Sequence, residues 1–257
     1  MEEMLLEQFK KIISEKTGLH VPEQDSKKLS DLISLRRKSH NLSSTEEYYH
    51  VLASSDSRCR DEWRKIIYCL TTGESYFFRD KGHSFLLQNI ILPELIKNKE
   101  KDHAIRIWSA GCSTGEEPYS VAILLDMLLP DLKTWDISII GTDINEESLQ
   151  KAERGIYTQW SFRMVDKEIQ RKYFSRHKDE WEIDGRIKKM VNFRHSNLIK
   201  DGFPSQHSGI CNMDIILCRN YFRQIWQQQY RHPHQYESLH YSCGRQDWAG
   251  TDVWNKQ

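Results

Sequence analysis

Arg106-Ile-Trp-Ser-Ala-Gly-Cys-Ser-Thr-Gly-Glu-Glu-Pro-Tyr-Ser120 is the stretch whose reading decides the fold. It reads as a buried strand, a tight turn of small residues, and a helix with acids in its first turn. Roughly 20 residues further on, the spacing expected of a nucleotide-binding βαβ unit, a second strand, Ile137-Ser-Ile-Ile-Gly-Thr-Asp-Ile144, carries Asp143 at its end. Gly111 and Gly115 let backbone approach a ligand closely, and a carboxylate after the next strand can take ribose hydroxyls. Glu116 and Glu117 make that helix N-terminus a poor seat for a pyrophosphate. A phosphate-free ligand such as S-adenosylmethionine suits the turn better than a dinucleotide.

Working outward, the alternation of strand and helix from Ile105 predicts an α/β fold with a parallel, Rossmann-like sheet. The helix from Glu116 to Leu129 offers Val121, Leu124, Leu125 and Leu128 to that sheet, and Pro130 ends it. Asn145 caps the next helix, with Gly155 at its C-terminal stop. Asp184-Gly185, between alternating residues, predicts a two-residue hairpin turn. Met190–Arg194 reads as a strand, and Met213–Cys218 as a strand buried on both faces.

Before the sheet, residues 1–72 read as a small helical domain. Leu5, Phe9, Ile12 and Ile13 recur at helical spacing, and Thr17-Gly18 closes that helix. Lys27–Lys38 predicts a second helix, Thr45 a cap for a third, and Asp61–Leu70 a fourth. The basic positions Lys27, Lys28, Arg36, Arg37, Lys38, Arg58, Arg60, Arg64 and Lys65 form either a solvated face or a docking face for an acidic partner. A helical stretch from Phe85 to Ile96 is interrupted or restarted at Pro93.

With 37 basic and 37 acidic residues the net charge is zero, so no whole-protein field favours nucleic acid or a membrane surface. No apolar run reaches the roughly 20 residues that span a bilayer. The N-terminus lacks the pattern of a signal peptide, and the 6 cysteines show no framework spacing, which implies a cytoplasmic protein with reduced thiols. His207, Cys211 and Cys218 match no common zinc pattern, so no metal site is expected.

In an open α/β sheet ligands bind beyond the carboxyl ends of the strands. Those ends deliver Ala110–Gly115, Asp143, Asn197-Leu198 and Arg219-Asn220. Asp143 suits ribose hydroxyls, the Asn197 amide an adenine edge, and Asn220 the amino-acid end of the ligand.

The segments Thr71–Asp80, Ser109–Ser120, Gly141–Asn145 and Cys218-Arg219-Asn220 resemble those of the chemotaxis receptor glutamate O-methyltransferases, the CheR family. The Ser-Thr-Gly-Glu-Glu-Pro-Tyr-Ser and Phe-Phe-Arg strings are far more specific than a glycine pattern. The resemblance implies a class I SAM-binding methyltransferase domain over residues 73–220 behind the helical domain. It implies methyl transfer to glutamate carboxylates on the cytoplasmic helices of methyl-accepting chemotaxis receptors, with S-adenosylhomocysteine as product. It also implies a monomer that meets the membrane only through its receptor and binds no nucleic acid. Residue by residue it assigns cofactor contacts to Ser75, Arg79, Ala110, Glu117, Asp143, Asn197, Leu198, Asn220 and Tyr221. Arg79 and Tyr221 are its catalytic candidates, Arg79 pairing with the cofactor carboxylate or the incoming glutamate. Gly73 replaces the asparagine usual in the family. A glutamate is already ionised near neutrality, so the reaction needs no general base.

After Asn220 the resemblance stops. Tyr221-Phe222 follows directly, and residues 221–257 are rich in Gln, His, Trp and Tyr with few aliphatics. That composition predicts a poorly ordered tail, an incomplete sheet, and an altered or truncated reading frame. The alternative function is a non-catalytic module that binds receptor or SAM without turnover.

Overall fold

The computed structural model describes residues 3–54, 57–71, 74–203 and 209–218. Gly73, His207, Arg219, Asn220, Tyr221 and the 221–257 tail lie outside the described residues.

The N-terminal region folds as helices α1 (Glu3–Thr17), α2 (Ser26–Ser39), α3 (Thr45–Ala53) and α4 (Ser57–Leu70). Their apolar stripes converge on a core of Phe9, Ile13, Leu29, Ile33, Tyr48, Leu52 and Ile66. Beside that core lies a carboxylate, Glu62, only 1% exposed. Arg36 donates to it through Nε and Nη2, both at 2.7 Å, and Tyr48 Oη donates at 2.7 Å. His40 Nε2 also lies 2.7 Å from it. Arg36 therefore faces inward and leaves the basic set read as a surface. The cap of α3 is corrected by one residue: Ser44 is the extended residue and its hydroxyl accepts from Glu47 N at 3.1 Å. Thr45 is already helical, and of two adjacent hydroxyls only the one on the non-helical residue can cap.

Next come α5 (Lys81–Leu86) and α6 (Leu92–Asn98), joined without a break by a π turn over Leu87–Ile91. Pro93 sits in the first turn of α6. Instead of ending the helix, the proline is accommodated by the wider turn before it, a known way to absorb its missing N–H and ring clash.

The remaining elements are β1 (Ala104–Ala110), α7 (Glu116–Leu128), β2 (Asp136–Asp143), α8 (Glu146–Arg154), β3 (Ile156–Thr158), α9 (Lys167–Tyr173), β4 (Phe174–His177), β5 (Glu180–Ile183), α10 (Gly185–Lys188), β6 (Val191–His195) and β7 (Ile215–Leu217). Among the described residues the main sheet is four-stranded and parallel, in the order β6-β2-β1-β7. Strands β3-β5-β4 form a separate antiparallel sheet. The chain leaves β1 toward β2 and β6 and returns to β1's other side at β7, so strand order reverses beside β1. In register Ala110 faces Thr142, which brings the carboxyl ends of β1 and β2 level.

Ile105, Ile107 and Ile139 of the sheet and Val121–Leu125 of α7 make the main core. Each Val, Ile or Leu among them contributes about 1.5–3 kcal/mol on burial. Helix α7 is buried nearly all round, because α6 and α10 pack on it in addition to strands β1, β2 and β6.

Two strand expectations change. The hairpin turn lies at Lys178-Asp179, between β4 and β5, and Lys178 takes the left-handed φ of 56°. Asp184 instead caps α10, its carboxylate accepting from Arg186 N at 2.7 Å. Asp serves both as turn residue and as helix cap, which is why the pattern misleads. Strand β7 is shorter than Met213–Cys218, and Ile216 is 41% exposed, so the run is not buried on both faces.

The helices seat on the carboxyl ends of the strands. Asn145 Nδ2 donates to Thr71 Oγ1 at 2.7 Å, Arg64 pairs with Glu146 at 2.6 Å, and Asn197 Nδ2 donates to Lys16 O at 3.1 Å. Gly18, at φ 75°, ends α1 against Ile199, where a Cβ would overlap that side chain.

Candidate active site

The turn after β1 is built from left-handed residues: Gly111 (φ 76°), Ser113 (φ 51°) and Gly115 (φ 90°). Gly111 N and Cys112 N both donate to Thr142 O, at 2.8 and 2.9 Å, which ties the turn to β2. A Cβ at Gly115 would come within 2.7 Å of Ala152 Cβ, so only glycine lets α7 start this close to α8. From outside the motif, Tyr157 Oη donates to Thr114 O at 2.9 Å.

The two adjacent glutamates do different work. Glu116 is 2% exposed and turned inward, accepting from Thr114 Oγ1 at 2.6 Å and from Ser161 Oγ at 3.1 Å. Burial pushes its carboxyl above the ordinary value, and hydrogen bonds from Thr114, its own backbone, Ser161 and Ser75 offset part of that rise. Glu117 turns the other way, toward open space, and accepts from Ser109 Oγ at 2.6 Å.

Asp143, at the end of β2, is 6% exposed. Its Oδ2 accepts from Ser113 N and its Oδ1 from Asn145 N, each at 2.8 Å. Burial raises its proton affinity, and the backbone donors act against the rise. A carboxylate offers about four acceptor sites, and the backbone donors of Ser113, Asn145 and Ile144 leave room for a ribose hydroxyl to donate to it.

These groups open onto a cleft of about 640 Å³, within the range of small-molecule sites. Its floor is Gly111–Ser113, Glu117 and Asp143. One wall comes from Leu19–Pro22, Asp25, Lys28 and Leu29, contributed by the N-terminal helices. The other wall is the segment Glu74–Asp80 with His83. Within that segment Phe77 is fully buried, stacked on Phe162 and edge-on to Tyr157 and Phe174. Phe77 N donates to Ser161 O at 3.0 Å and Phe78 N to Ser120 Oγ at 3.0 Å. So anchored, the segment places Ser75 and Arg79 on the cleft, and Arg79 Nη1 donates to Glu74 O at 3.1 Å. Asp80, at φ 71°, accepts from Gly82 N at 3.0 Å as the cap of α5.

Of the residues singled out in the sequence, Ser75, Arg79, Glu117 and Asp143 meet in this cleft. Ala110 lies buried beneath the turn, and Leu198 lines a small second pocket that shares Gly111 and Asp143 with the cleft. Asn197 stands apart. Its amide nitrogen donates to Lys16 O, and its Oδ1 accepts from Ile199 N at 3.0 Å and Lys200 N at 3.3 Å. Its side chain thus caps the turn at the junction with α1 and is not among the residues that line the cleft. Asn220 and Tyr221 fall outside the described residues. Sequence reasoning missed His83 and the N-terminal wall of the cleft, and it set Lys28 on a solvated or docking face instead of on that wall. Phe-Phe-Arg was a signal for the first, being its neighbour; for the wall no local signal exists. No cluster of side chains able to hold a metal ion occurs among the described residues.

The residues present fit S-adenosylmethionine. The cleft has the volume, the left-handed turn leaves backbone accessible, and the acids Glu117 and Asp143 match a cationic ligand with ribose hydroxyls. Ser113 Oγ is buried beside them without a hydrogen-bond partner, a polar group that a ligand-free protein rarely leaves in that state.

Residues 73–232 match the family model described as CheR methyltransferase, SAM binding domain. A chemotaxis protein methyltransferase of Borreliella burgdorferi is 32% identical over 215 residues, covering 82% of this chain and 74% of the relative. Another from Pseudomonas putida is 27% identical over 221 residues, 83% of this chain and 77% of the relative. Chemotaxis protein methyltransferase 2 of Vibrio cholerae is 36% identical over 169 residues, 64% and 57% of the two chains.

Proposed function

This chain belongs to the CheR methyltransferase family, its cofactor is S-adenosylmethionine, and on that premise we propose that it methylates glutamate side chains of methyl-accepting chemotaxis receptors. The products are glutamate methyl esters and S-adenosylhomocysteine. The observation that carries this reading is the meeting of Arg79 with Glu117 and Asp143 in one cleft beyond β1 and β2.

S-adenosylmethionine supplies a methyl group activated by the positive sulfur. The chain's own residues bind and align. Asp143 and Glu117 present acceptors for hydroxyl and ammonium groups, and Arg79 presents a planar donor for a carboxylate, either the cofactor's or the incoming glutamate's. Catalysis then rests on alignment and on removal of water from the carboxylate, which the walls on both sides of the cleft assist. Ser75, Leu198, Asn220 and Tyr221 complete the proposed contacts, the last two on resemblance alone.

The same reading divides the chain into a helical domain over 1–72 and a methyltransferase domain from 73, a division supported by a family match that begins at residue 73. Among the described residues no helix is long and apolar enough to cross a membrane. A cytoplasmic monomer that reaches the membrane through its receptor's helices is the proposed setting.

A second reading, a SAM-binding module without turnover, is favoured by the composition of residues 221–257, which carry few aliphatics, although the family match runs on past Asn220 to residue 232. Incubation with methyl-labelled SAM and receptor-bearing membranes decides between them. Base-labile label on the receptor supports the enzyme; SAM binding by calorimetry with no label transferred supports the module and sinks the enzyme.

A further inference from the structure

The geometry points to Arg163 as a positioning residue for this site, holding Arg79 in place through Glu74 and Tyr76. Arg163 directly follows the short helical turn Gln159–Phe162 after β3, remote in sequence from the glycine turn and from the Phe-Phe-Arg string. Its guanidinium sits 3.5 Å from the centre of the Tyr76 ring and 4.4 Å from that of Trp160. Nη1 donates to Trp160 O at 2.9 Å, and Nη2 pairs with Glu74 Oε1 at 3.6 Å.

Arg79 uses the same two residues. It donates to the carbonyl of Glu74 at 3.1 Å and lies 5.6 Å from the Tyr76 ring centre. Glu74 thus holds one arginine by its backbone and the other by its carboxylate, and Tyr76 offers its ring to both. The segment needs such support. Phe78 and Asp80 are non-glycine residues at φ 53° and 71°, a conformation that persists only when the surroundings impose it. Backbone bonds pin the segment at Phe77 and Phe78. Arg163 pins the Glu74–Tyr76 end, from which Arg79 takes its hydrogen bond. Only a planar guanidinium can stack on the ring while reaching Glu74; an ammonium keeps the charge and loses the stack.

The inference rests on the reading of Arg79 as a site residue, and a double-mutant cycle separates the two. Calorimetry with S-adenosylmethionine, together with single-turnover methyl transfer to receptor membranes, is run on wild type, R79A, R163A, R163K and R79A/R163A. R163A is expected to raise Kd and lower the transfer rate by roughly tenfold, within the range of a part-buried cation–π contact. The thermal midpoint should fall by no more than a few degrees, since the Arg163 side chain, 24% exposed, is half-buried and anchors one segment outside the main core. R79A/R163A should be no worse than R79A, because the clamp has nothing left to position. R163K should recover only part of the loss. Losses that multiply in the double variant overturn the inference, as does wild-type behaviour of R163A. Full rescue by R163K also overturns it, since charge alone would then account for the effect. If R163A fails to fold by circular dichroism, R163K and R79A/R163K carry the same cycle. Wild-type binding and transfer by R79A would remove Arg79 itself from the site, a different failure from an active-site Arg79 indifferent to Arg163.

Discussion

The backbone N–H of Ser113 donates to Asp143 Oδ2 at 2.8 Å, while Asp143 Oδ1 accepts from Asn145 N at the same distance. One carboxylate therefore closes the glycine turn of the first strand and the helix start after the second. The acid that the sequence marks as a ribose contact is also the brace of the glycine turn.

D143N should accordingly lose more than a ligand contact. An amide turned to satisfy one N–H presents its NH2 group to the other, leaving a buried donor unpaired at about 1–3 kcal/mol. Expected outcomes are a lower thermal midpoint and a rise in SAM Kd of at least roughly tenfold. A variant that weakens binding with stability untouched would show that the brace carries no energy.

R79A should abolish receptor methylation, by about 100-fold or more if alignment is what is lost. Filter-bound base-labile counts over time measure it. Activity within twofold or so of wild type excludes Arg79 from the aligned pair.

Asn197 offers the opposite test. Its side chain caps the Ile199–Lys200 turn and ties Lys16 O, so N197A should cost about 1 kcal/mol in stability. SAM affinity should change by less than about threefold, a difference of well under 1 kcal/mol. A large loss of affinity with an unshifted melting curve would instead support the cofactor role that the sequence suggested.

Glu62 makes the helical region pH-sensitive. Burial alone would raise its pKa, but hydrogen bonds from Arg36, Tyr48 and His40 prevail and depress it from 4.5 to about 2. A depressed carboxylate binds fewer protons folded than unfolded, so its contribution is fully present above about pH 4.5. It is lost as pH falls through about 2. Urea unfolding of α1–α4, followed by Trp63 fluorescence, should show that loss. E62Q should flatten it and destabilise by about 3–5 kcal/mol at neutral pH, because Arg36 is left uncompensated.

Much of the site's floor was legible because its constraints are local. A run of apolar residues, small residues at left-handed positions and an acid after the next strand follow from backbone geometry over a few dozen residues. Asn145 as a cap and Gly155 as a stop are likewise local and stand as expected. Where one residue type has two uses, local reading fails: Asp184 caps a helix instead of turning a hairpin, and Ser44 caps where Thr45 was expected.

The sequence by itself determined the parallel sheet, the turn, and the acids Glu117 and Asp143 that line the cleft. Tertiary structure alone decided which of two adjacent glutamates enters the core, since that depends on Thr114 and on Ser161, which lies 45 positions away. It alone placed the Leu19–Leu29 wall over the cleft, and set Arg163 against Glu74 and Tyr76. Periodicity reports which residues are buried; it carries no information on which distant partner meets them, because that is settled by packing of whole elements and the closure of long loops.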